Sequence, residues 1–341
     1  MSVTLRSFAK INLGLAIGPA RPDGFHALTT VYQTIALHDL VTVTVRPAAS
    51  TRITLTSNDQ RVPLGATNTT WKMAERALAM LGVAAQVTIH IEKRLPVQGG
   101  LGAGSANAAA ALLGLERELG LALSDEDRLR VAAEVGSDVP LFLVGGAVLG
   151  LGRGEDVSPL ADFAAVPCVI AVPDTGVSTP AAFREWDQRH SALTPATAID
   201  RLERLSRSVS AAWGQPHSSG VSGATSSETI SEGDIAQTGD LAETPLLALV
   251  RTGIANDFEE VVFAQYPSLA DIVRVFRGSG QPEDAAIYAA LCGSGSALFG
   301  LYASGKAADR AAGRLRDRGI VALRTETLPR KQYWRTMWVD K

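Results

Sequence analysis

The chain has 341 residues, 46% of them apolar, and a formal net charge of −3 from 32 basic and 35 acidic side chains. That length suits about two domains with sizeable cores, and the scattered basic residues argue against a nucleic-acid partner. No run approaches the ~20 apolar residues of a membrane span and no leader-like segment opens the chain, so a cytoplasmic protein with no membrane partner is expected.

In chain order, residues 3–7 and 13–17 read as strands. Residues 29–37 and 40–45 alternate apolar and polar side chains around a turn at His38-Asp39. Residues 52–57 give another strand, and Trp71, Ala74, Leu78 and Leu81 recur at helical spacing within 70–81. Residues 87–92 alternate as a strand, a glycine-rich loop follows, and a helix is predicted over 108–120. Ser124 caps the next helix, with Asp127 three residues on. Gly136-Ser137-Asp138-Val139-Pro140 interrupts the pattern, and a strand-like stretch runs from 145–147 to 152–154. The second half opens near Cys168 with a buried strand over 169–172, and helices are predicted from about Thr179, Pro195, Pro245 and Pro267. Between 207 and 244 Ser, Thr, Gly, Glu and Asp dominate; such a stretch buries too little apolar surface to offset its ordering entropy, and 214–243 is expected to be a disordered insertion. Residues 287–291 and 297–302 read as strands about a turn at 293–296, followed by a helix over 306–318 and a strand over 321–327. Cys168 and Cys292 lie in apolar surroundings and are expected to be buried, reduced thiols.

The most informative stretch is Gln98-Gly99-Gly100-Leu101-Gly102-Ala103-Gly104-Ser105-Ala106-Asn107. A loop without Cβ atoms lets backbone N–H groups approach a polyanion. The helix behind it adds unpaired N–H donors and a positive dipole end, a combination that holds phosphate. It lacks the Gly-Lys-Ser/Thr ending and the G-x-G-x-x-G spacing of the two common phosphate loops. A flexible connector is the plainer alternative, but such linkers are not followed at once by an apolar helix. Four weaker clusters accompany it. Lys10 and Asn12 share one side of an apolar strand, where a polar edge face is the plainer reading. Arg21-Pro22-Asp23-Gly24-Phe25-His26 reads as a hairpin turn. Asp138 is placed to cap a helix. Gly293-Ser294-Gly295-Ser296 is a turn or a second nest of amides for an anion.

The joint order of these clusters resembles the GHMP kinase superfamily over nearly the whole chain outside the insertion. Ala9-Lys10-Ile11-Asn12-Leu13 opens the pattern. The Arg21–His26 run, continuing to Gln33-Thr34-Ile35, is its most specific part. The loop Gly99 to Ala109, the Gly136–Pro140 element, Gly152-Arg153-Gly154-Glu155, Asn256-Asp257-Phe258-Glu259 and Gly293–Ser296 complete it. Phe8 stands where relatives often have proline, Phe25 where they have tyrosine, and Ala103 and Ala106 where they have glycine and serine. A hydroxyl at position 106 can reach Mg²⁺ in relatives; here Ser105 alone remains.

The resemblance implies an α+β, two-lobed fold. Its first lobe, 1–160, would resemble domain 2 of ribosomal protein S5, and its second, 161–341, would be ferredoxin-like. It implies ATP-dependent phosphorylation, with Mg²⁺ as the ATP counter-ion, of the 2-hydroxyl of 4-(cytidine 5′-diphospho)-2-C-methyl-D-erythritol, a step of non-mevalonate isoprenoid synthesis, by a monomer or weak homodimer. Lys10 and Asp138 would be catalytic. Pro96, Gly99, Gly100, Leu101, Gly102, Ala103, Gly104, Ser105 and Asn107 would bind ATP. Asn12, Phe25, His26, Thr179, Phe183, Gly293 and Ser294 would bind the acceptor, with Phe25 and Phe183 flanking the cytosine and His26 bonding its edge. No protein metal ligand is assigned. A carboxylate of pKa ~3.9 removing a proton from an alcohol of ~16 before attack faces a climb of about 16 kcal/mol, whereas a loose transition state needs little early deprotonation. Asp138 is therefore expected to orient the hydroxyl and take its proton late. Another kinase of the same fold, for homoserine or mevalonate, and a non-catalytic binding protein are the alternatives.

Overall fold

The computed structural model describes residues 2–97, 99–192, 194–214, 244–278 and 282–339. The first lobe is built on a long antiparallel ribbon, β1 (Val3–Ala20) and β2 (His26–Pro47). The two strand pairs read from the sequence are thus single strands. Register shifts at Phe8/Ala9, Asn12/Gly14 and Ile17/Ala20 absorb the breaks in pattern, as bulges do by adding residues on one side of a ladder. The turn expected at His38-Asp39 does not form. Asp39 is fully buried, and its carboxylate accepts from the N–H groups of Arg94 and Leu95, Nζ of Lys93 and Nδ2 of Asn107. An aspartate that looks like half of a turn in one dimension is a buried anchor in three.

There follow β3 (Arg52–Ser57), α1 (Thr69–Leu81), β4 (Ala85–Glu92), α2 (Ala103–Leu119), α3 (Asp125–Val135), the short α4 (Leu141–Val144), β5 (Ala147–Leu151) and β6 (Asp156–Pro159). The sheet runs β3-β4-β2-β5-β6, with β1 paired to β2. Helices α1 and α2 close one face: Met73, Leu78, Leu112 and Leu115 pack with Val41, Val43, Val87 and Ile89. Gly114 lets α2 lie close, since a Cβ there would meet Val43 at 2.8 Å. Ser124 Oγ accepts the Asp127 N–H and caps α3 as read.

The second lobe comprises β7 (Pro167–Val172), α5 (Thr179–Arg189), α6 (Pro195–Trp213), α7 (Pro245–Arg251), α8 (Phe258–Gln265), α9 (Pro267–Phe276), β8 (Tyr288–Leu291), β9 (Leu298–Leu301), α10 (Gly305–Arg316), β10 (Val321–Glu326) and α11 (Arg330–Met337). Its sheet has the order β10-β7-β9-β8. Side chains alternate across β7: Cys168 and Ile170 join a core shared with Ile11, Val31 and Ile35 of the ribbon, whereas Val169 and Ala171 face the core of α8 to α10. Both cysteines are buried and free. Helix α11 returns to the first lobe, where Tyr333 packs beside Phe8 and donates to the Phe142 carbonyl. The stretch 214–243 lies outside the described residues, apart from Gly214 at the end of α6.

Candidate active site

The glycine loop leads directly into α2, which begins at Ala103 rather than 108. Gly102 is its N-cap, at φ 70°, and supplies no side-chain cap. The first-turn N–H groups are therefore left for a ligand. Two glycines here are obligatory. A Cβ on Gly102 would meet Phe142 at 2.9 Å and Lys10 Cγ at 3.0 Å, and one on Gly100, at φ 75°, would sit 1.9 Å from the Cys292 carbonyl oxygen. Before the loop opens a cleft of about 420 Å³. All nine residues expected to bind ATP line it: Pro96, Gly99 to Ser105 and Asn107. Sequence reasoning missed its far wall, Arg61 to Pro63 and Thr67 to Thr70, and also Lys93. The turn signals around Pro63 and Gly65 and the Asn68 cap of α1 were the available clue. Asn107 gives Nδ2 to Asp39, and its buried Oδ1 has no partner among the described residues.

At the inner end of the loop, the backbone N–H of Lys10 donates to the Leu101 carbonyl at 3.0 Å. The Lys10 ammonium, with 4% of its side chain exposed, donates to Asn12 Oδ1 at 2.8 Å and pairs with Asp138 Oδ2 at 3.3 Å. Asn12 Nδ2 donates to Thr30 Oγ1, which donates on to the Gly14 carbonyl; this chain fixes the amide with its oxygen toward Lys10. Asp138 keeps 32% of its side chain exposed. It is no helix cap, since Pro140 precedes α4 and the carboxylate is engaged by Lys10 and by Tyr32, whose hydroxyl donates to Oδ1 at 2.9 Å. Tyr32 is a site residue the sequence reading missed. Burial and then the Asp138 charge push its phenol well above the usual range, so it donates as a neutral hydroxyl. Its ring fills a slot that Cβ atoms on Gly150 and Gly154 would close.

The second lobe reaches the same point. Ala297 N–H donates to the Gly99 carbonyl at 3.2 Å. A Cβ on Gly293 would lie 3.4 Å from Lys10 Nζ and 3.5 Å from Asn12 Oδ1. Ser294 and Thr179 bond through their hydroxyls at 2.6 Å. Burial pushes the Cys292 thiol up to about 12 despite the Lys10 charge, which leaves it inert as a nucleophile.

At the hairpin tip, Arg21 to His26 forms the turn its residues predict, with Gly24 at φ 81°. His26 is buried, stacks on Phe183 at 4.9 Å and 11°, and has Nε2 2.7 Å from Asp187 Oδ1. Phe25 is 51% exposed and lies under the Arg153 guanidinium. The His26 and Phe183 rings leave no room for a base between them, so the aromatic resting on Phe183 is His26, whereas Phe25 keeps an exposed ring. Asn256, just before α8, is buried, and in the first turn of α8 burial pushes the Glu259 carboxyl up to about 7 against the opposing pull of its Leu291 N–H bond and Arg277.

Two family models match the chain, GHMP kinases N terminal domain over residues 68–146 and GHMP kinases C terminal over 230–321. A glycine turn that meets a buried lysine across two lobes thus belongs to the GHMP kinase class. A solved homoserine kinase from Cytophaga hutchinsonii shares this fold at TM-score 0.70 and 20% identity, covering 97% of this chain and 96% of that one. A solved 4-(cytidine 5'-diphospho)-2C-methyl-D-erythritol kinase superposes at TM-score 0.65 with 28% identity, covering 96% and 99%. The 4-diphosphocytidyl-2-C-methyl-D-erythritol kinase of Streptomyces coelicolor is 35% identical over 322 residues, 94% of each chain, and that of Solibacter usitatus is 35% identical over 98% of this chain and 91% of its own. The chain belongs to the 4-diphosphocytidyl-2-C-methyl-D-erythritol kinase family. Among the described residues no helix is long and apolar enough to cross a membrane.

Proposed function

We propose that the chain transfers the γ-phosphoryl group of ATP to the 2-hydroxyl of 4-(cytidine 5′-diphospho)-2-C-methyl-D-erythritol. The observation that carries the reading is the Lys10–Asp138 pair at 3.3 Å, set at the inner end of the glycine turn. The cleft before that turn takes the nucleotide. Its uncapped amides suit phosphates.

Phosphoryl transfer asks the protein mainly to position groups and to offset charge. Lys10, fixed by Asn12, sits where charge builds on the transferring group. Asp138, held at one oxygen by Lys10 and at the other by Tyr32, turns its exposed side to the acceptor hydroxyl. Two grips on the carboxylate favour orientation and late proton acceptance. The turn at Gly293 and Ser294, with Thr179, supplies acceptor-side polar groups. Phe25 supplies the exposed ring of the cytidine end, beside the stacked His26 and Phe183, and aromatic contact with a base contributes ~1–3 kcal/mol there. One loop hydroxyl, Ser105, and one carboxylate already paired fit a cation carried by the phosphates rather than by a protein cage. When bound with ATP, Mg²⁺ neutralises phosphate charge.

The test is a coupled ADP-release assay offering the diphosphocytidyl alcohol beside homoserine and mevalonate. Turnover of the first alone is expected. Preference for either other alcohol would overturn the substrate assignment, and ATP binding with no acceptor turned over would overturn the enzyme.

A further inference from the structure

The segment Asn256-Asp257-Phe258-Glu259 takes no part in the chemistry above, yet its side chains hold the backbone beneath it. Asn256 Nδ2 donates to the carbonyls of Leu291 at 3.0 Å and Gly293 at 2.7 Å. Its Oδ1 accepts the Phe258 N–H at 3.1 Å, which fixes the end of the amide that faces the strand. Glu259 Oε1 accepts the Leu291 N–H at 2.8 Å. Both backbone groups of Leu291 and the carbonyl of Gly293 are therefore tied by two side chains at the start of one helix.

Position explains why this matters. Leu291 ends β8, the edge strand of its sheet, so no strand lies outside it to fix where the chain goes next. The next residues carry the site: the Cys292 carbonyl abuts Gly100, and Gly293 lies beside Lys10 and Asn12. The segment is itself docked on the strand that bears Lys10 and Asn12. Leu15 N–H donates to the Ala255 carbonyl, Asp257 N–H donates to the Leu15 carbonyl, and Asp257 Oδ2 accepts the Ile17 N–H. The connections form a ring, from β1 through 255–257 to the exit of β8 and back to Lys10.

We propose that Asn256 and Glu259 are positioning residues that clamp the exit of β8 and so hold the Gly293–Ser296 turn against Lys10 and Asn12 on the acceptor side. The functional half of this statement rests on the kinase reading; the clamp itself rests on the hydrogen bonds alone. Asn256 acts on two carbonyls, so replacing its amide by a carboxylate removes both donors at nearly constant size. Glu259 acts as an acceptor, so glutamine preserves the contact and alanine abolishes it.

The experiment compares Asn256→Asp, Glu259→Ala and Glu259→Gln with the wild-type chain. Amide hydrogen exchange is followed in the 288–297 peptide, with the interior of α2 as reference. Exchange in 288–297 should quicken by about tenfold or more in Asn256→Asp and Glu259→Ala and return to the wild-type rate in Glu259→Gln. In steady-state kinetics Asn256→Asp and Glu259→Ala should raise the KM of the diphosphocytidyl alcohol about tenfold or more, and by more than that of ATP, because the turn they hold lies beside Lys10 and Asn12 while first-lobe residues line the ATP cleft. A merely structural loss would lower the active fraction and leave both KM values alone; that result, or unchanged exchange in 288–297, overturns the proposal. If Asn256→Asp does not fold, the Glu259 pair decides by the same readouts. If the wild-type chain does not turn over this alcohol, the functional reading falls, and exchange alone upholds or overturns the clamp.

Discussion

At the scale of single residues, the site is a set of groups each held from two sides. Asp138 is gripped by Lys10 and Tyr32, so its replacement removes both charge and orientation. Asp138→Asn keeps the shape and should lower kcat by at least ~10²-fold, with the KM of ATP nearly unchanged; near-wild-type turnover in the coupled assay would remove Asp138 from the mechanism. Glu259 carries a pH signature. Its carboxyl ionises near its ordinary 4.5 in the unfolded chain and near 7 in the fold. Between these values the unfolded state holds fewer protons, so stability falls as pH rises from 4.5 to 7 and is level above. The loss is about 3 kcal/mol at most, at 1.36 kcal/mol per unit. Glu259→Gln should flatten that slope in denaturant unfolding at pH 5 and pH 8, and a slope parallel to wild type would place the titration on another group. Lys10, Asn12 and Asp138 were legible because short motifs name them. Tyr32 was not, because a tyrosine inside an alternating strand signals only burial; its role comes from a hydrogen bond to a residue 106 positions away.

At the scale of elements, local chemistry is legible in the sequence and continuity is not. Capped helices announced themselves: Ser124 for α3, and the prolines that open α5, α6, α7 and α9. Bulges interrupt the period-2 pattern and hide the continuity of the ribbon, and glycine reads as loop even where it enters a helix, as at the start of α2. Helices α8 and α11 leave no clear periodic signal, since each is eight residues and too short for its period to stand out. The loop itself yields the sharpest test. Gly100→Ala drives a methyl group into the Cys292 carbonyl at a φ that alanine tolerates poorly. The turn must then shift away from the second lobe. A displacement of about 1 Å can cost ~10²-fold in rate, so kcat/KM should fall by roughly that factor. By contrast Gly120→Ala, with nothing within 4 Å of its new methyl, should lose stability by about 1 kcal/mol through its positive φ while turnover by the folded enzyme stays intact.

At the scale of the whole molecule, the lobes are joined by far more than a linker. The ribbon contributes to both cores, and α11 closes the first lobe from the far end of the chain. Gly145 leaves the space that the Tyr333 ring occupies, and the Tyr333 hydroxyl reaches the Phe142 carbonyl beside the Asp138 turn. Tyr333→Ala should therefore cost about 3–5 kcal/mol, measured by chemical unfolding; a loss under about 1 kcal/mol would show that the C-terminal helix is peripheral. The bond from Ala297 to Gly99 has a further consequence. It ties the glycine turn to the second lobe before any ligand arrives, so the two halves of the floor are already in register. Water that reaches Asp138 ahead of the alcohol would meet the same lysine and the same anion, so slow release of ADP from ATP alone is the expected outcome in the coupled assay without acceptor.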